Sequence, residues 1–157
     1  PMDRAIAQAT ELGATDIYLL EGQRSNVKLN KQRMLGKLEH WHKVIVASCE
    51  QCGQINLPTL HNPSQLTPLL AQLSQSNSHL IFFDPQANPA PNQLDPQDRV
   101  IFIGPEGGFS PEELRAFADA KVEGYRLGKL ILRAETMPAA ALTLIHQAAG
   151  WPTNTDD

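Results

Sequence analysis

The sequence predicts an α/β domain built on a mostly parallel sheet, and three observations carry that prediction. Short apolar strands alternate with helical stretches from one end of the 157 residues to the other, the pattern of a sheet whose strands are joined by helices. Val100–Ile103 runs through the turn Gly104-Pro105-Glu106-Gly107-Gly108 into a helix that opens at Ser110-Pro111. A second strand, Glu123–Leu127, ends at Gly128 and leads through an apolar stretch into a last helix at about Met137. One ordinary domain accounts for the length, and it is long enough to bury a real core.

The elements follow in order. Met2 to Leu12 reads as a helix that stops at Gly13, and Asp16 to Leu20 as a short strand. A long helix spans about Lys31 to Gln51. Ile55 to Leu60 is the second strand, Pro63 to Ser76 the third helix and His79 to Phe83 the third strand. Asp84 to Asp98 holds Pro85, Pro89, Pro91 and Pro96, so an extended surface loop with little regular pairing is expected. Strand Val100–Ile103 and helix Pro111–Lys121 come next. Ser110 and Glu113 form a capping box with Pro111 at the first helical position. Thr136 reads as the N-cap of the last helix, which Gly150 and Pro152 end at about Ala149. That helix is apolar nearly all round, so it should be buried on more than one side, with a second subunit as its natural cover.

Composition sets limits on function. No apolar run is long enough to span a bilayer and no signal segment opens the chain, so a cytoplasmic protein without a membrane partner is expected. A net charge of −4 argues against nucleic-acid binding over the whole surface. Charge is uneven, however. Arg24, Lys28, Lys31, Arg33, Lys37 and Lys43 face the single acid Glu39, whereas no Lys or Arg occurs from Val44 to Asp98. This cluster is either a solvated helix surface or a phosphate-contacting one.

Ligands of parallel α/β sheets sit beyond the carboxyl ends of the strands. Asp84, the Gly104–Gly108 turn and the Leu127-Gly128 turn all fall there, so three loops should converge on one crevice. Glycines without Cβ allow backbone to approach a bound molecule closely. A phosphate is a poor guest for the first turn, since no Lys-Ser/Thr pair follows the glycines and Glu106 repels an anion. Cys49-Glu50-Gln51-Cys52, with His40 and His42 upstream, invites a metal or redox reading. His42 and Cys49 on one helix lie roughly 10 Å apart along its axis, too far for one tetrahedral zinc. The Cys pair also ends a helix, where no N-terminal dipole stabilises a thiolate. No metal is expected.

Ile103-Gly104-Pro105-Glu106-Gly107-Gly108-Phe109-Ser110, paired with Leu127-Gly128-x-x-Ile131-Leu132-Arg133-x-Glu135-Thr136, resembles the RsmE family of ribosomal RNA small-subunit methyltransferases. Glu11-Leu12-Gly13 and Glu50-Gln51-Cys52-Gly53 agree, and the match covers nearly the whole chain in the right order. The resemblance implies a SPOUT-type α/β domain with helices on both sheet faces and a deep C-terminal trefoil knot, working as a homodimer. It implies S-adenosylmethionine as cofactor and N3 of a uridine in 16S ribosomal RNA as the methylated atom. Family members also carry an N-terminal PUA-like barrel. The 157 residues hold none, so they read as a catalytic domain cut from a longer protein or as a shortened relative.

On this resemblance the adenosyl site falls to Gly104, Glu106, Gly107, Gly108, Leu127, Gly128, Ile131 and Leu132. The uracil N3 proton must leave before or during attack. Arg133 and Glu135 are candidates for that chemistry, or else an ion pair bracing the start of the last helix; Arg24 can come from the other subunit to a phosphate or a uracil oxygen. RNA contacts are assigned to Arg24, Lys28, Arg33 and Gln51. Gln54 and Gln8 stand where relatives usually carry a cation, which puts RNA affinity in doubt, and Met137 replaces a small residue. The alternative function is a noncatalytic RNA-binding or ribosome-assembly module that keeps the knotted fold.

Overall fold

The computed structural model describes residues 1–22, 31–91 and 99–151. Their order is α1 (Met2–Glu11), β1 (Asp16–Ile17), α2 (Lys31–Cys52), β2 (Thr59–Leu60), α3 (Leu66–Leu73), β3 (His79–Pro89), β4 (Arg99–Ile103), α4 (Pro111–Asp119), β5 (Glu123–Arg126) and α5 (Met137–Ala149). Every strand pairing among the described residues is parallel. β1 pairs with β2, and β3 lies at the centre of a second set in the order β4-β3-β5.

Successive side chains on a strand point to opposite faces, and the apolar runs of β3 and β4 therefore serve two cores. Leu80, Phe82, Val100 and Phe102 turn to one face, where they meet Leu66, Leu69, Leu70 and Leu73 of α3 and Phe109 and Phe117 beside and within α4. Ile81, Phe83 and Ile101 turn to the other and meet Met137, Ala141, Leu144, Ile145 and Ala148 of α5. Helices thus cover both faces. Phe117 is fully buried, with Phe82 stacked on it at 4.6 Å and Phe109 edge-on at 4.9 Å; its burial alone contributes about 2–3 kcal/mol.

A third cluster joins α1 to α2 through Ile6, Leu19, Trp41, Ile45 and Cys49. Asp3 fastens these helices, accepting from Trp41 Nε1 at 2.9 Å and lying 2.8 Å from His40 Nε2. α5 finds two covers within its own chain. The stripe from Met137 to Ala148 lies on the sheet, and His146 reaches α1 through the Leu12 carbonyl.

Several expectations need correction. The strand expected over Ile55–Leu60 is confined to Thr59–Leu60, and Ile55 and Leu57 are more than half exposed. With neither side chain buried, nothing holds that stretch against the sheet. The pairing expected over Asp16–Leu20 shrinks to Asp16–Ile17, with an isolated bridge from Leu20 to Ser64. The loop expected from Asp84 is in its first part a strand, since β3 continues to Pro89. Pairing with β4 stops at Phe83↔Ile103, while pairing with β5 resumes after a register shift at Asn88↔Tyr125. Beyond Phe83 the strand is an edge strand, where a proline without an amide hydrogen is tolerated.

Candidate active site

The three loops meet at one end of the sheet around a crevice of about 650 Å³. β4 delivers Gly104 to Phe109, β3 delivers Phe83 to Gln86 at its register shift, and β5 delivers Arg126 to Ala134. Gly104, Glu106, Gly107, Gly108, Leu127, Gly128, Ile131 and Leu132 all line it, as does Arg133.

Local chemistry shapes each wall. Gly108 sits at φ 68° and Gly128 at φ 67°, conformations that a side chain disfavours, and a Cβ at either would stand in open space. The Gly108 amide donates to the Pro105 carbonyl at 2.8 Å, closing the first turn. Ser110 then starts α4 with the expected capping box. Its hydroxyl accepts from the Glu113 amide at 3.1 Å, and its amide donates to Glu113 Oε2 at 2.7 Å. Both side chains are buried, so the exit of the loop is held by satisfied polar groups. The Glu112 carboxyl titrates below its ordinary range, chiefly because it accepts from its own backbone amide and from Ser110. At β3, Asp84 Oδ1 accepts from the Gln86 amide at 2.8 Å, a local turn that sets the third wall.

The second loop is less tightly tied. Leu130 and Ile131 are 81% and 80% exposed, although both side chains are large and apolar. Arg133 Nη1 lies 3.9 Å from Glu135 Oε1, a long ion pair between an exposed guanidinium and a mostly buried carboxylate. Glu135 Oε2 is buried without a hydrogen-bond partner. Arg133 lines the crevice and Glu135 does not. Thr136 stands at the N-cap of α5 without a side-chain cap hydrogen bond, a correction to its expected role. Its backbone is already helical, so the hydroxyl has no cap geometry. The start of α5 is instead closed by the Arg133 carbonyl, which accepts from the Thr136 and Met137 amides.

Two of the expected RNA contacts, Arg33 and Gln51, are not brought together. Arg33 and Gln51 are exposed near opposite ends of α2, about 27 Å apart along its axis, and neither lines the crevice. Arg24 and Lys28 lie outside the described residues. Gln54 folds back on the Asn56 carbonyl, and Gln8 keeps a buried, unpartnered Oε1. Met137 lines the crevice as well as the core beneath it. Cys49 is buried against α1 and its thiol is pushed up by that burial and by Cys52, the opposite of an activated thiolate.

Sequence reasoning missed Phe83, Gln86, Arg126, Lys129 and Leu130 as crevice residues. The last three were legible in principle, since they flank or interleave the Leu127-Gly128 motif. Phe83 and Gln86 depend on the register shift of β3, which no spacing announces.

Two glycine turns around one crevice at the carboxyl ends of parallel strands form a candidate ligand site, and residues 1–146 match the family model described as RNA methyltransferase domain. The chain belongs to that family. It is 30% identical over 147 residues to the Ribosomal RNA small subunit methyltransferase E of Buchnera aphidicola, covering 92% of this chain and 59% of that protein. Among solved structures it is similar to a putative methyltransferase of Legionella pneumophila in complex with bound SAM, at TM-score 0.84 and 33% identity, over 94% of this chain and 61% of that one. A Ribosomal RNA small subunit methyltransferase E from Neisseria gonorrhoeae bound to S-adenosyl methionine aligns at TM-score 0.81 and 25% identity, over 93% of this chain and 60% of that one. The resemblance to the RsmE family therefore holds along the chain, and with it the SPOUT type of α/β fold. The chain spans about three fifths of the length of the curated relatives it matches.

Proposed function

We infer that this domain is an S-adenosylmethionine-dependent methyltransferase acting on N3 of a uridine in 16S ribosomal RNA of the small ribosomal subunit. The observation that carries the reading is the convergence of the Gly104–Gly108 and Leu127–Leu132 turns on one crevice in a chain of the RNA methyltransferase family. The residues present fit the cofactor. A crevice of about 650 Å³ is within the usual range for such ligands, and its lining offers apolar Ile131 for a flat base.

Gly104, Gly107, Gly108 and Gly128 present backbone amides and carbonyls to the cofactor, Leu127, Ile131 and Leu132 flank its adenine, and Glu106 forms the polar wall. S-adenosylmethionine supplies a methyl group already activated on a sulfonium. What remains for the protein is to align the uracil and exclude water. Arg133 stabilises the uracil oxygens as negative charge develops, and Glu135 holds that guanidinium from behind. Arg24 of a second subunit serves a phosphate or a uracil oxygen. A homodimer, a deep C-terminal trefoil knot and a cytoplasmic location complete this reading.

Methyl transfer from labelled cofactor to undermethylated small ribosomal subunits, followed by mapping of the modified base, tests it. Label in a uridine at N3 is expected. Arg133→Ala should lower turnover by roughly 100-fold or more while leaving the unfolding midpoint nearly unchanged, because the guanidinium is 81% exposed. Equal loss of both gives Arg133 a bracing role. The second reading is a noncatalytic RNA-binding or ribosome-assembly module that keeps the fold without turnover, and calorimetric titration decides. Failure to bind S-adenosylmethionine at millimolar concentration removes the methyltransferase.

A further inference from the structure

The crevice is electrically divided. Its acids are Asp84, at the register shift of β3, and Glu106, in the turn after β4, whereas its cations are Arg126, at the end of β5, and Lys129 and Arg133, in the segment that follows it. Arg126 and Lys129 make no ion pair or side-chain hydrogen bond among the described residues, although the chain as a whole carries −4. Between them and Arg133 stand Leu130 and Ile131, the two most exposed large apolar side chains among the described residues. Cations interleaved with exposed apolar side chains suit a single-stranded polyanion whose bases are unstacked.

We propose that the rim Arg126-Lys129-Leu130 is an RNA platform: Leu130 packs on the face of an extrahelical base, and Arg126 and Lys129 take the flanking phosphates. The inference rests on the methyltransferase reading and gives its substrate an entry side. A cationic sulfonium is favoured beside Asp84 and Glu106, which leaves the basic wall to the nucleic acid. A base must leave its stack before an enzyme can reach its ring, and aliphatic wedges such as Leu serve to hold unstacked steps apart. Leu130 costs nothing to the fold in this role, since it is already outside the core.

The test is binding of a single-stranded uridine-rich RNA oligonucleotide to the full chain by fluorescence anisotropy across a salt series, alongside calorimetry with S-adenosylmethionine. The double variant Arg126→Ala/Lys129→Ala should flatten the slope of log affinity against log salt by about 1.4, at roughly 0.7 per phosphate contact on a single strand. Leu130→Ala should weaken binding roughly tenfold with the slope unchanged, and Lys129→Arg should keep the wild-type slope. Cofactor affinity should not move in any of them. The proposal is overturned if the wild type fails to bind the oligonucleotide or if the variants bind it as the wild type does. It is equally overturned if the variants lose cofactor affinity or self-association instead of RNA affinity. If the wild type binds RNA through this rim but binds no cofactor, the platform stands and the methyltransferase reading falls.

Discussion

Gly124 is the residue on which the packing around α4 turns. A Cβ built there lies 2.4 Å from the Phe82 ring, closer than any real contact, and that ring is held in place by stacking on Phe117. Gly124→Ala should therefore destabilise the domain by about 1–3 kcal/mol, the ordinary cost of overpacking a filled core, read as a lower midpoint in denaturant unfolding. Gly128→Ala makes a contrast, because its φ of 67° sits in open space. Strain of about 1 kcal/mol is expected there, with the larger effect on cofactor affinity, since the turn can relax only by reshaping the crevice wall. An unchanged cofactor affinity in Gly128→Ala removes that turn from the cofactor's contacts. The glycine turns were the most legible part of the sequence because backbone freedom has one amino acid to supply it. Gly124 was not legible, since nothing near it in sequence shows that Phe82 lies opposite.

At the scale of elements, the capping box links helix stability to the site. Ser110→Ala leaves the buried Glu113 amide without its acceptor and should cost about 1–2 kcal/mol. The measurement is chemical unfolding of wild type and variant, and no change in midpoint removes the cap from the stability of α4. The α1–α2 clasp gives a pH dependence. Asp3 titrates below its ordinary value of 3.8, first because it accepts from His40 and then because it accepts from Trp41. A carboxyl lowered on folding contributes stability that is present above the unfolded value and lost as pH falls through the folded one. Midpoints should therefore drop as pH is lowered below about 4, and Asp3→Asn should remove that part of the drop while lowering the midpoint at neutral pH. A variant with the wild-type acid profile counts against the clasp. Strand β3 shows where element reading stops. Pro85 and Pro89 argue against a central strand, and the strand loses one neighbour just before them, which sequence spacing cannot reveal.

For the whole molecule, the order of strands and helices was legible, but distances across the surface were not. Arg33 and Gln51 were both assigned to RNA from the sequence and stand near opposite ends of a long helix. The all-round apolar character of α5 argued for a second subunit, yet the sheet and α1 account for two of its sides. The homodimer therefore rests on its own test. If two copies associate only when folded, mass action makes the unfolding temperature rise with protein concentration. A roughly hundredfold dilution series should then lower Tm by several degrees, and sedimentation at the upper end should give twice the chain mass of 17.3 kDa. A Tm independent of concentration together with a single-chain mass leaves the domain a monomer. Arg24 of a second subunit then has no route to the crevice, and the proton at uracil N3 has to be handled within one chain.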